Sequence, residues 1–79
     1  MNKKQRQKLE SIASIIEDAI ADIEVIRDEE QEKLDNAPDN LNTSSLYEQI
    51  EEYIDTLDTV IDELDSTVNE LRESVIDNY

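Results

Sequence analysis

The sequence predicts an all-α fold, an antiparallel helical hairpin that dimerises into a four-helix bundle. Three observations predict it. Glycine is absent and the single proline, Pro38, falls near the middle of the 79 residues, so helix breakers are confined to one place. Apolar residues recur every three or four positions on both sides of that break, the period of an amphipathic helix. Each stripe is about three rows wide, more than one seam between two helices covers, so a further surface must close over it.

The whole chain, 1–79, reads as one domain, with a first helix over about residues 3–36. Leu9, Ile12, Ile16, Ala19, Ile23 and Ile26 form its main stripe, and Ala13, Ile20 and Leu34 widen one flank. Its start, "NKKQRQK", holds Lys3, Lys4, Arg6 and Lys8, four of the seven basic residues. Cations there oppose the helix macrodipole. In a hairpin they lie beside the end of the returning helix, where Glu70, Glu73 and Asp77 are expected to pair with them.

The segment "DNAPDNLNTSS" is dense in short polar side chains that compete with helical hydrogen bonding, and predicts a loop over about 37–45. Pro38 disfavours helical geometry at Ala37, which ends the first helix near Asn36, a residue that tolerates the left-handed conformation. Ser45 and Glu48 fit a capping box for the second helix, about 46–77. There Tyr47, Ile54, Ile61, Val68 and Val75 repeat at one core position and Ile50, Leu57, Leu64 and Leu71 at the other. Leu46, Tyr53 and Val60 add a third row. Ile16, Ile23, Ile50, Ile54, Leu57, Ile61, Leu64, Val68 and Leu71 are the residues expected to carry self-association. Tyr47 and Tyr53, two of the three aromatics with Tyr79, sit on the edge of the stripe and suit bundle packing.

Twenty-two acidic residues against seven basic ones give a net charge of −15, which repels nucleic-acid phosphate and anionic membrane and selects basic partners. Direct nucleic-acid binding and membrane binding are therefore not expected. Cys and His are both absent, which removes disulfides, thiolate and imidazole metal ligands and the usual acid-base group. No glycine is available for a calcium loop of EF-hand type, and a carboxylate-bridged di-iron site needs a Glu-x-x-His pair. The serines have no histidine base and no glycine-rich phosphate loop exists. A cofactor, a metal site and catalysis are all unexpected. No apolar run approaches the roughly 20 residues that span a bilayer, and Glu10, Glu17 and Asp18 interrupt any export signal. A reducing cytoplasm is the expected setting.

Glu48, Glu51, Asp55, Asp58, Asp62 and Asp65 form a second, acidic stripe beside the apolar one. No Lys or Arg occurs between Leu34 and Leu71, and like charges at four-residue spacing cost a few tenths of a kcal/mol each. Such repulsion suits either a solvated face or a surface that offers carboxylates where a nucleic-acid binder expects phosphates. A shorter acidic run, Asp28, Glu29, Glu30 and Glu32, stands near the first helix's C-terminus against its dipole, relieved in part by Lys33.

At "RDEEQEKLDNAPDNL", Arg27 to Leu41, the chain resembles a loosely defined set of short acidic helical-hairpin proteins of phages and prophages of Gram-positive bacteria. Asp28 to Glu32 match the acidic run of those proteins, Asn36 and Pro38 their turn, and "YEQIEEYIDTLDTVIDELD" their acidic second helix. The resemblance spans about residues 9–70. It implies a hairpin architecture and a bacterial-host cytoplasm and assigns no mechanism. The expected function is a non-enzymatic acidic interaction module, a phage or prophage accessory protein that blocks a basic, nucleic-acid-binding surface of a host protein, as an anti-defence inhibitor or DNA mimic does. The competing class is an assembly protein that self-associates through its apolar seam, its charge serving solubility.

Overall fold

The structure, a computed structural model, describes residues 1–36 and 45–78. Helix α1 spans Lys3–Asp35 and helix α2 spans Ser45–Leu71, which continues into a π-helical turn over Arg72–Ile76. The two helices run antiparallel as a hairpin. Arg72 of the π turn reaches Glu10 and Glu17 near the start of α1, and Arg27 near its end reaches Asp58.

The basic start of α1 is held by a device other than the expected one. Asn2 Oδ1 accepts from the Gln5 backbone N–H at 2.8 Å, and Gln5 Oε1 accepts from the Asn2 N–H at 3.1 Å, a reciprocal cap that satisfies two orphan donors. Lys3, Lys4 and Lys8 make no ion pair with Glu70, Glu73 or Asp77 among the described residues, so the expected pairing is corrected for these three lysines. Arg72 ties the two helices together at this end and reaches the opposite way, toward Glu10 and Glu17 of α1. At its other end α1 closes on Asn36 at φ −97°, outside the left-handed region, with the Asn36 N–H donating to the Glu32 carbonyl at 2.9 Å. The Pro38 break and all but the last residue of the loop expected over 37–45 lie outside the described residues; Ser45 itself is helical. Ser45 opens α2 at the edge of the described residues, and the capping box expected of Ser45 and Glu48 falls at that edge.

The core is a single seam. Ala13 and Ile20 of α1 are buried against Ile61 and Val68 of α2 and Ile76 of the π turn, and Leu9, Ile16, Ile23, Leu64 and Leu71 pack around them. Ile54 is buried as well but stands apart from that cluster. Two registers differ from the sequence expectation. On α1 the inner rows are Leu9, Ala13, Ile16, Ile20 and Ile23, while Ile12 and Ile26, expected in the main stripe, are 39% and 52% exposed. Three apolar rows offered two ways to choose an inner pair. The observed choice buries small Ala13 completely and continues at Arg27, within reach of Asp58. On α2 the seat expected for Val75 belongs to Ile76, because the π turn, closed by the Asp77 N–H on the Arg72 carbonyl at 2.8 Å, takes up one extra residue. The wider turn seats the larger of two neighbouring side chains.

The hairpin is a rod. Its Cα extents are 60 × 15 × 13 Å and its radius of gyration is 17.8 Å, against about 12 Å for a compact chain of this length. The accessible surface is 5952 Å², roughly 1,000 Å² more than a globular monomer of this mass exposes.

Candidate protein-interaction site

At 100° per residue the side chains of each helix sort into three directions: the seam and two lateral faces. In an antiparallel pair, residues lying the same rotation away from the seam on each helix share one face of the hairpin. The contacts identify both faces.

One face is acidic. Arg27 joins its two helices: Nη1 donates to Asp58 Oδ1 at 3.1 Å, while Nε and Nη2 donate to Asp28 Oδ1 at 3.2 and 3.1 Å. These hydrogen bonds, Asp58 first, raise the guanidinium's already high pKa. Arg72 repeats the arrangement toward the termini. It grips Glu17 in a two-pronged pair at 2.6 Å for each prong and takes Glu10 with Nε and Nη2 at 3.2 and 3.0 Å. That hydrogen bond holds the Glu17 carboxyl below the usual carboxylate range, and Arg72 is itself pushed upward, by Glu17 first and then Glu10.

The acidic stripe expected from sequence is therefore relieved at one position. Asp58 is half-buried and paired, while Glu48, Glu51, Asp55, Asp62 and Asp65 are exposed along α2. In the loop-end run, Asp28 is held by Arg27, and Glu30 by Lys33 at 2.8 Å, a bond that raises the lysine's pKa. Glu29 and Glu32 are exposed. Arg27 and Arg72 escaped the sequence reading, although Arg27 stands in the heptad series Ala13, Ile20, Arg27, Leu34, which could have marked it as a seam residue.

The opposite face is apolar. Of the residues expected to carry self-association, Ile54, Ile61 and Val68 are buried within the hairpin, and Ile16, Ile23, Leu64 and Leu71 pack around the same core. Ile50 and Leu57 are half-buried. The apolar surface left over on this face is a different set: Ile12, Ile15 and Ile26 on α1, with Leu46 and Tyr53 on α2; Met1 at the chain start and Val25, on the outer side of α1, are exposed as well. Near the loop end these rows border an open groove of about 550 Å³, floored by Ile26, Tyr53 and Leu57 and edged by Glu30, Gln49, Glu52 and Thr56. Tyr53 is 50% exposed there, whereas Tyr47 is half-buried.

Among the described residues, no three carboxylates converge as a metal site, and no helix is long and apolar enough to cross a membrane. Set against protein-family profiles, curated proteins and solved structures, the chain matches none of them.

Proposed function

We propose that this protein is a non-enzymatic acidic interaction module, which pairs through its apolar face into a four-helix bundle and turns its carboxylates outward to a basic surface of another protein. The observation that carries this reading is the segregation of the two surfaces. Ile12, Ile15, Ile26, Leu46 and Tyr53 lie on one side of the seam, and Glu51, Asp55, Asp62 and Asp65 on the other, so both can be occupied together. The resemblance of residues 27–41 to acidic hairpins of phages and prophages supports an accessory role in a bacterial cytoplasm. The partner would be a host protein whose basic groove otherwise meets nucleic-acid phosphate.

The competing class is an assembly protein in which only the apolar face binds. The exposure of Ile15 at 66% and Leu46 at 64% favours a covered face under either reading. The acidic face separates the two. Changing Glu51→Gln, Asp55→Asn and Asp62→Asn together leaves the Arg27–Asp58 link intact. Under the proposal it weakens binding of an oligolysine peptide about tenfold in low salt, with duplex DNA failing to bind in its place. A control variant that removes the same charge elsewhere, Asp18→Asn, Glu63→Gln and Glu70→Gln, loses about twofold or less. Equal losses in both variants, read by titration calorimetry, would reduce the stripe to net charge alone and leave the assembly reading.

A further inference from the structure

We infer that the groove at the loop end receives the first turns of α1 from a second copy of this chain, in a twofold dimer whose long axes are antiparallel and whose symmetry axis passes beside Ala19. The inference rests on the self-association proposed above and specifies its geometry. Ala19 is exposed, small, and central in α1, and the exposed side chains of α1 are arranged about it. Ile12 and Ile26 are equidistant from it, as are Lys8 and Glu30, and Lys3 and Asp35. Antiparallel pairing of α1 with its own copy across that point sets isoleucine against isoleucine and lysine against carboxylate, with each contact made twice. The smallest side chain stands where the helices cross.

The groove fits the same register. Ile26, Glu30, Tyr53 and Leu57 of one copy fall opposite the segment of the other in which Gln5, Lys8, Leu9 and Ile12 line a smaller depression of about 250 Å³. Lys8 and Lys3 make no ion pair among the described residues of their own chain, and Glu52 on the groove's rim is likewise unpaired there. An apolar floor rimmed by carboxylates suits the aliphatic stem and charged tip of lysine.

The opposite arrangement, with both loops at one end, would bring Asp28, Glu29, Glu30, Glu32 and Glu52 of two copies together and stack the basic starts on each other. Like charges so juxtaposed are disfavoured. The surplus surface of roughly 1,000 Å² per chain is of the order of the about 800 Å² that each partner buries in a standard interface.

The chain has no cysteine, so single cysteines report distances directly. With full-length protein and a short thiol-to-thiol cross-linker, Ala19→Cys is expected to yield a covalent dimer. Lys8→Cys and Glu30→Cys are expected not to, since each lies about 33 Å from its own copy. In sedimentation equilibrium, Lys8→Glu and Glu30→Lys should each raise the dimer dissociation constant roughly tenfold, and the double reversal should restore it to within about threefold. A monomer at all concentrations would overturn self-association and this topology together. A dimer that cross-links through Glu30→Cys and not through Ala19→Cys would overturn the topology and leave self-association standing. The Ala19→Cys result stands even if a charge reversal unfolds the chain.

Discussion

The two ends of the hairpin are built on different terms. Toward the termini Ala13, Ile20, Ile61, Val68 and Ile76 stack without interruption, and Arg72 straps the outside of that stack to Glu10 and Glu17. Toward the loop the inner row passes from Ile20 to Arg27, Ile54 stands outside the main cluster, and a groove opens beside Tyr53. Apolar side chains are exposed at both ends, Met1, Ile12 and Ile15 at the first and Val25, Ile26, Leu46 and Tyr53 at the second, but only at the second do they border the groove of about 550 Å³. Local stability follows contiguous burial, and mobile or binding elements are drawn from the poorly buried end. The contrast therefore places the more stable packing toward the termini, and under the proposed function it leaves recognition to the other end, where uncompensated carboxylates are densest.

The largest expected break in that comparison is at the core. Ile61→Ala removes a buried side chain from the middle of the stack and is expected to cost about 2–4 kcal/mol, whereas Ile54→Ala, with fewer neighbours to lose, should cost about half as much. Urea unfolding followed by circular dichroism at one protein concentration measures both. Equal costs would mean that the two ends are alike. A smaller effect tests the π turn. Ile76→Ala should lose about 1–2 kcal/mol and Val75→Ala clearly less; the reverse order would restore the uninterrupted α-helical register.

Much of this fold is legible in the sequence because period and breakers are local signals. Ile54, Ile61 and Val68 recur at sevens, and all three are buried. The rest depended on choices that local pattern leaves open. Three apolar rows on α1 allow either Ile12 and Ile26 or Ala13 and Ile20 to face inward, and only the partner helix decides between them. The π turn has no glycine or proline to announce it, so the step from Val75 to Ile76 is invisible before the helices are packed. At the candidate site the acidic stripe could be read directly from spacing. Its partial relief could not, because Arg27 reaches Asp58 across 31 positions of sequence. Asn2 and Gln5 were legible in principle: Asn-x-x-Gln is a capping pattern, overshadowed by the lysines between them.

The smallest expected effects belong to the two arginines, and they sharpen the comparison by a different physical route. Both are partly exposed, so each contributes modestly and loses ground to salt. Arg72→Ala should lower the melting temperature by a few degrees in dilute buffer, more than Arg27→Ala does, because Arg72 bridges two carboxylates of the other helix and Arg27 only one. Acid adds a sign. The Glu17 carboxyl is held below its ordinary value of 4.5 by Arg72, so the folded state binds its proton less readily than the unfolded chain does. The stability this supplies is fully present above the unfolded value and is lost as pH falls through the lower, folded one. Wild type should therefore surrender part of its advantage over Arg72→Ala between about pH 4.5 and more acidic solution, and the two melting curves should converge there. If the gap stays constant across that range, Arg72 stabilises the open end through the packing of its stem, and Glu17 titrates without sensing it.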